Sequence, residues 1–403
     1  MLPLDALGLA YLRSLPQFLV MPLFYVVIAL IVSQYMRSAS LERKLWGRPR
    51  LPVWKLLVLS LVYGVVGGLL GSLLLLGVGV ALSGGWMLYV WMVALALAFV
   101  SPRLMCFAYA GGIVAISSLV LGWPVLDIPA LLALVALLHA VESVLMYLSG
   151  HIGAVPVSIK NALGEIVGGF SLQKFWPVPL LALAVIPGQV PPGVETIPMP
   201  EWWPLILPAN ITAAYSLWMI PVVAGLGYGE LAITTTPRQR ARQSAGKLAF
   251  FSLTLFLLAW LSTRMDAFLY VGAIFAPLGH ELLVWTTNRR EMQGKPLHGG
   301  TAAGLQMLDV LPSSPAARAG FSQGDVVLVA DGTSIATPGQ LDLVLRASDR
   351  MVRVETTRGT RYLPSGIGFK ETGLIPVPTA ETQMYLESRF ASPLDYLARL
   401  WRR

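Results

Sequence analysis

The segment LLVLSLVYGVVGGLLGSLLLLGVGVAL, Leu56–Leu82, contains no charged residue and is long enough to cross a bilayer as a helix. A bilayer has a hydrocarbon core about 30 Å thick, so a spanning helix needs about 20 mostly apolar residues. The whole chain shares this bias, because 56% of its 403 residues are hydrophobic and 12% are charged, with a mean hydropathy of +0.68. Soluble domains carry about 25% charged residues. The composition predicts a membrane protein and excludes a cytosolic enzyme, a secreted disulfide scaffold and a disordered regulator.

Further apolar runs predict a polytopic α-helical membrane bundle of about eight or nine transmembrane helices. One run, Trp176–Pro187, is short and rich in proline, so it is either a short span or a re-entrant element, and we favour the span. The other predicted spans are Pro16–Tyr35, Leu56–Leu82, Trp86–Val100, Leu104–Leu121, Ile128–Leu148, Leu205–Leu226, Leu248–Leu261 and Ala267–Trp285.

Basic residues concentrate in alternate loops between these runs. The loop after the first run is strongly basic, Arg103 lies between two runs, and Arg289 and Arg290 follow the last run. The positive-inside rule places such loops in the cytoplasm. The net charge of +8 is therefore explained by cytoplasmic loops of a plasma-membrane protein, without a nucleic acid partner. The N-terminus is expected outside and the C-terminus inside.

The second run contains two overlapping pairs of glycines four residues apart, Gly64 with Gly68 and Gly67 with Gly71. Small residues at this spacing let two helix backbones approach closely. The pattern predicts close packing within the chain, and a homodimer seam is the alternative.

After Arg290 the composition becomes that of a soluble domain. A strand is predicted at Gly304–Val310, a short helix that ends at Gly320, a strand from Gly324, and an amphipathic helix over Thr337–Ala347. The predicted domains are a transmembrane part at 1–287, a linker at 288–301, a small α+β domain at 302–364 and an extension at 365–403. The extension contains an aromatic and basic amphipathic segment, suited either to a membrane surface or to docking on the small domain.

The string GLQMLDVLPSSPAARAGFSQGDVVLVADGTSIATPGQLDLVL, Gly304–Leu345, resembles a bacterial PDZ domain. Such domains bind a C-terminal or extended peptide as an added strand at a sheet edge. The resemblance implies a carboxylate-binding loop at Ala303–Gln306 and a groove between the strand Leu305–Leu308 and the following amphipathic helix. About half of the apolar residues there are expected to form the domain core instead. The expected groove residues are Ala303, Gly304, Leu305, Gln306, Met307, Leu341, Val344 and Leu345.

No catalytic motif is complete in this sequence. The string GHEL at Gly279–Leu282 begins like the zinc-binding H-E-x-x-H, but Val284 stands where the second histidine belongs. The single cysteine, Cys106, excludes a disulfide framework, and it predicts no cysteine-based metal site. We therefore expect no enzymatic activity, no cofactor and no metal.

Ionisable and polar residues inside predicted spans are candidate functional residues, because burying them in a membrane is costly. His139 and Glu142 lie three residues apart on one helix face, and Asn210 lies in another predicted span. A proton or ion relay and simple bonding to neighbouring helices are both compatible with this placement.

The chain resembles the MinJ-like proteins, polytopic determinants of the division site in Gram-positive rods. The resemblance rests on FLVMPLFY (Phe18–Tyr25), SLERKLWGRPR (Ser40–Arg50), RLMCFAYAGG (Arg103–Gly112), IKNALGEIVGGFSLQKFWPVPL (Ile159–Leu180) and the terminal PDZ-like region. It implies a non-enzymatic scaffold at septum and poles that connects DivIVA, a marker of curved membrane, to MinD. Two other function classes remain open: a PDZ-bearing adaptor or sensor for a membrane protease or signalling system, and a transporter.

Overall fold

The computed structural model describes residues 2–83, 85–192, 196–208, 214–299, 304–379 and 382–387. The helices of its N-terminal part pack around a long β-hairpin, and five of the described helices are long and apolar enough to cross a membrane: α2, α3, α6, α7 and α8 below. The helices are α1 (Leu4–Phe18), α2 (Pro22–Trp46), α3 (Val53–Val78), α4 (Met87–Val100), α5 (Phe107–Leu121), α6 (Ile128–Ser149), α7 (Pro237–Ser262) and α8 (Ala267–Gln293).

The helices α4 and α5 form a hairpin that reaches only the middle of the bundle. Each is shorter than the roughly 20 residues that a full crossing needs. At the outer end of the hairpin, the rings of Tyr89 and Trp123 lie 5.0 Å apart. At its turn, Arg103 binds Glu281, about halfway along α8, at 2.7 Å. Two full spans joined by a cytoplasmic Arg103 were expected, but helices of this length, joined at a turn beside Glu281, do not support two full spans.

Helical spans at Trp176–Pro187 and Leu205–Leu226 are also wrong, because β-strands occupy the first range and residues 215–226 of the second. The strand β3 (Ile166–Pro187) pairs with β4 (Tyr215–Ala232) in one antiparallel hairpin, from Phe170 opposite Ala232 to Pro187 opposite Tyr215. Two further strands extend this sheet: β1 (Ala81–Leu82), parallel to the end of β3, and β2 (Val155–Lys160), antiparallel to its start. The count of eight or nine transmembrane helices therefore does not hold.

Prolines make the long strand β3 compatible with apolar surroundings. Between the segments where β3 pairs with β2 and with β1, its outer edge faces α2 and α3 instead of another strand. Pro177 and Pro179 on this edge have no N–H group that needs a partner. Leu181 donates its N–H to the hydroxyl of Ser72 at 2.8 Å, and Phe175 donates to the hydroxyl of Tyr35 at 3.3 Å. From Phe175 to Leu181 the outward donors of this edge are therefore either satisfied or absent, as burial in a membrane requires.

The glycines of α3 fit the carbonyl groups of those two prolines. A Cβ atom on Gly64 would lie 2.1 Å from the Pro177 oxygen, and one on Gly68 would lie 1.8 Å from the Pro179 oxygen. Four residues of helix rise about 6 Å, and two residues of strand span about 6.6 Å, so the two spacings match. Gly67 and Gly71 pack instead on Leu145 and Val141 of α6. Both glycine pairs are thus used within the chain, as the packing interpretation predicted, and not as a homodimer seam.

The C-terminal domain is a sheet in the order β10-β5-β6-β8-β9, with short β7 beside β6. Its core contains Leu305, Val327, Leu341 and Val354, all buried. The sheet extends past residue 364, because its end strand is β10. The elements are β5 (Leu305–Val310), α9 (Pro315–Arg318), β6 (Val326–Ala330), β7 (Thr333–Ser334), α10 (Pro338–Ala347), β8 (Val352–Thr356), β9 (Gly359–Leu363), α11 (Phe369–Thr372) and β10 (Leu374–Pro376). A last short strand, β11 (Leu386–Glu387), pairs with β2 of the other sheet.

Candidate functional site

Both edges of β5, the strand expected to border the peptide groove, are paired. On one side Leu305 lies opposite Val327 of β6. On the other side β10 runs antiparallel, with Leu374 opposite Val310 and Pro376 opposite Met307. In the described part of the chain, the position beside β5 where a peptide strand was expected is thus filled by the chain's own β10. The outer edge of β10 is the end of this sheet.

The expected groove residues fall into a buried group and a half-buried group. Leu305, Met307, Leu341 and Leu345 are at most 1% exposed and belong to the domain core. Gly304, Gln306 and Val344 are half-buried, and Ala303 lies outside the described residues. Four of the eight expected groove residues therefore belong to the core. Val344 is the helix residue among them that reaches the surface.

A backbone N–H beside α10 already holds a carboxylate. The loop Gly366–Gly368 leads into α11, where the N–H of Phe369 donates to Oδ1 of Asp342 on α10 at 2.6 Å. Arg346, one turn further along α10, donates to the other oxygen of Asp342 at 2.8 Å. These two hydrogen bonds, the one from Arg346 first, hold the pKa of the Asp342 carboxyl below its usual range.

An ion pair ties the C-terminal domain to the basic loop after α2. Arg50 forms a close ion pair with Asp309 of β5. The backbone N–H of Arg50 also donates to Glu42 of α2 at 2.6 Å, and Arg48 donates to the Pro312 carbonyl at 3.3 Å. Burial raises the pKa of the Asp309 carboxyl, and the charge of Arg50 opposes this rise. A buried carboxylate beside Arg50 therefore helps to fix the position of the domain.

Apolar contacts complete this docking surface. Leu308, Leu311, Ile375 and Val377 are buried in one cluster with residues of the helical bundle, which is separate from the domain's own core. The methyl carbons of Leu308 lie 3.2–3.4 Å from the position of a Cβ on Gly168 in β3. The domain therefore packs on the end of the bundle that carries the basic loops.

The three polar residues expected inside predicted spans are His139, Glu142 and Asn210. His139 is buried in α6, where its ring meets His280 and Phe251, with centroids 5.4 and 5.5 Å apart. Glu142 lies one turn further along α6. Asn210 is outside the described residues.

Sequence reasoning missed Cys106 as the neighbour of His139. The Cys106 sulfur lies 3.1 Å from Nε2 of His139 and 3.8 Å from Nε2 of His280, so three metal-binding side chains meet. The absence of a cysteine-based site was inferred from a count of cysteines. That count cannot reveal ligands that come from helices far apart in the chain.

The chain is similar to the cell division topological determinant MinJ of Bacillus subtilis (strain 168), with 23% identity over 367 residues. The match covers 86% of this chain and 88% of the relative. No family model and no solved structure matches the chain. Because the helical part ends at Gln293, a match of this extent includes at least part of the C-terminal domain.

Proposed function

We propose that this chain is a non-enzymatic, MinJ-like membrane scaffold that helps to place the cell-division site. The observation that carries the proposal is the similarity to a cell division topological determinant along most of both chains. By the family resemblance, the scaffold connects a DivIVA-like marker of curved membrane to a MinD-like protein. A bundle with five helices suited to span a membrane and a water-soluble domain at one end has the parts that such a role needs.

We place the C-terminal domain in the cytoplasm. It docks on the loop that contains Arg48 and Arg50, and this loop belongs to the basic set that the positive-inside rule assigns to the cytoplasm. The cytoplasmic assignment does not depend on how many segments span the membrane between α2 and α8. Both of these helices end on the side where the domain lies. Cytoplasmic division proteins would then have access to it.

Localisation in dividing rods tests this proposal. A fluorescent fusion of the full chain, expressed in Bacillus subtilis cells that lack MinJ, should accumulate at septa and poles. A version that ends at His298 keeps the described helical bundle and should spread over the membrane if the C-terminal domain carries the targeting surface. Equal amounts of both versions in the membrane fraction are the control. A uniform membrane signal from the full chain would contradict the division role and favour a general adaptor.

We further propose that the C-terminal domain is PDZ-like and captures an extended or C-terminal peptide beside Val344 of α10. Two observations support this placement. Val344 reaches the domain surface, whereas β10 is covered, because Leu374 and Ile375 are at most 2% exposed and Ile375 packs on the helical bundle. The Phe369 N–H beside α10 donates to the Asp342 carboxylate, so a peptide carboxylate that displaces Asp342 would find a donor there.

Two neighbouring residues of α10 give a matched pair for testing peptide capture. Val344 is half-buried at the domain surface and packs against the domain core, whereas Leu343 is 70% exposed. Val344→Lys should abolish capture of peptides from a C-terminal peptide library by the purified full chain, because a lysine there forces a charge against an apolar surface. Leu343→Lys should retain it.

Leu305→Lys is unsuitable for this test, because Leu305 is part of the domain core. A folded Val344→Lys protein with unchanged capture would contradict the groove assignment while leaving the division role untouched.

A further inference from the structure

We propose that Cys106, His139 and His280 form a Zn²⁺ site in the middle of the helical bundle. Their donor atoms, one sulfur and two imidazole nitrogens, all lie within 4.8 Å of one another. In a tetrahedral zinc site, bond lengths of about 2.3 Å to sulfur and 2.0 Å to nitrogen put sulfur about 3.5 Å from each nitrogen. The two observed distances, 3.1 and 3.8 Å, lie on either side of this value. Thiolate and imidazole are ligands that zinc prefers.

The surroundings orient His139 and Cys106 for this role. Nδ1 of His139 lies 2.7 Å from the Val135 carbonyl oxygen, which can only accept, so Nδ1 carries the proton. The lone pair of Nε2 is then directed at the Cys106 sulfur. Cys106 is the N-cap of α5, and its sulfur accepts the N–H of Ala108 at 3.4 Å. The positive end of a helix stabilises negative charge on this sulfur.

His280 contributes the third ligand from α8. Its Nδ1 is buried and has no hydrogen-bond partner among the described residues. The rings of Tyr109 and Phe251 lie 5.1 and 5.6 Å from its own and form an aromatic wall. The adjacent Glu281 does not join the ligands, because its carboxylate already accepts hydrogen bonds from Arg103 at 2.7 Å and from the Tyr109 hydroxyl at 2.6 Å. The protein thus offers three ligands and leaves the fourth position open.

Close packing of α5 on α8 brings the ligands together. A Cβ on Gly112 would lie 2.3 Å from Cδ of Pro277, one turn before His280, so α5 approaches α8 at a glycine. The turn of the re-entrant hairpin, with Cys106, therefore meets two spanning helices at this point. A zinc ion there would fasten the hairpin to α6 and α8.

Because Cys106 is the chain's only cysteine, thiol labelling reports on this site alone. In the purified full chain, stripped of metal with a chelator, added Zn²⁺ should slow labelling by a small maleimide at least about tenfold, because a zinc-bound thiolate is withdrawn from reaction. In His139→Gln and in His280→Gln the protection should fall below about twofold. Equilibrium dialysis should also find one zinc per chain, and none in Cys106→Ser.

His151→Gln is the matched control, because His151 follows the same helix α6 and lies outside the ligand set. It should keep the full protection and the zinc. For each variant, protection is the ratio of its own labelling rates without and with Zn²⁺, and a thermal unfolding midpoint equal to that of the wild type without metal shows that it is folded. Labelling of the wild type unchanged by Zn²⁺, or equal loss of protection in His151→Gln, would overturn the proposal.

Discussion

The two sheets of this protein close their edges in different ways. On the outer edge of β3 in the bundle, the backbone donors are removed by Pro177 and Pro179 or accepted by hydroxyl groups from helices. In the C-terminal domain, β10 ends its sheet, and Leu374 and Ile375 are at most 2% exposed because Ile375 packs on the helical bundle. In apolar surroundings an unpaired backbone donor costs several kcal/mol, whereas in water it is solvated. The Leu374 N–H accordingly donates to the hydroxyl of Thr372 at 3.2 Å, so the end strand is covered by docking and by a hydroxyl of its own domain.

The largest expected effect on stability is at the base of the β3–β4 hairpin. Arg240 of α7 is 2% exposed and lies between Glu230 of β4, at 2.7 Å, and Glu291 of α8, at 3.4 Å. Removing one partner of a buried ion pair costs about 3–5 kcal/mol, because the remaining charges stay buried and uncompensated. We expect Arg240→Met to lower the thermal unfolding midpoint of the detergent-solubilised full chain more than any other change discussed here.

Arg238→Met removes the same charge from an exposed position two residues earlier in α7. It should leave the unfolding midpoint almost unchanged, since exposed charges contribute about 0–1 kcal/mol. Similar losses in both variants would show that net charge, and not the buried triad, stabilises the base of the hairpin.

An intermediate effect on stability is expected where the helix α3 packs on the β3–β4 hairpin. In Gly68→Ala the new methyl group would lie 1.8 Å from the Pro179 oxygen, so helix and strand must separate. Overpacking of this kind costs about 1–3 kcal/mol. Gly246→Ala in α7 is the control, because a Cβ there meets nothing within 4 Å, and alanine stabilises a helix interior relative to glycine. A Gly68→Ala protein as stable as Gly246→Ala would disprove the close approach.

The sequence predicted the five long helices and, in order, the elements β5, α9, β6 and α10 of the C-terminal domain, but not the β3–β4 hairpin. In β3 the run from Val178 to Val185 is continuously apolar, so it lacks the alternation that identifies a strand with one wet face. The available signals were the spacing of two at Pro177 and Pro179, which a helix interior does not tolerate, and the glycines at every second position, Gly225, Gly227 and Gly229.

The candidate sites were predictable only in part, for a related reason. His139 and Glu142 were found because they are neighbours on one helix. Cys106 and His280 are 174 positions apart, and their meeting depends on the α4–α5 hairpin, whose turn lies about halfway along α8. Likewise, the domain resemblance identified the strand β5, but the later strand β10 that pairs with it lies outside the resembling segment.

The smallest expected effect lies in the C-terminal domain, where Asp342 accepts the Phe369 N–H and pairs with Arg346. Because its folded pKa is lowered, this carboxylate stabilises the domain above the unfolded pKa of about 3.9, and the contribution is lost as the pH falls through the folded value. Asp342→Asn keeps the shape and removes the charge. We expect a loss of under about 1 kcal/mol at pH 7, since a partly exposed ion pair contributes little and one backbone hydrogen bond weakens.

The difference between Asp342→Asn and the wild type should shrink as the pH falls below about 4, because a protonated aspartate resembles asparagine. Limited proteolysis of the C-terminal domain within the full chain, followed across this pH range, measures it. Asp349→Asn changes the same charge at an exposed position just beyond α10 and should show no such pH dependence. A constant difference at all pH values would mean that the shape of the Phe369 contact matters and its charge does not. The Phe369 N–H would then bind a neutral oxygen as well as a carboxylate, and a peptide with an amidated C-terminus should be captured as well as one with a free carboxylate.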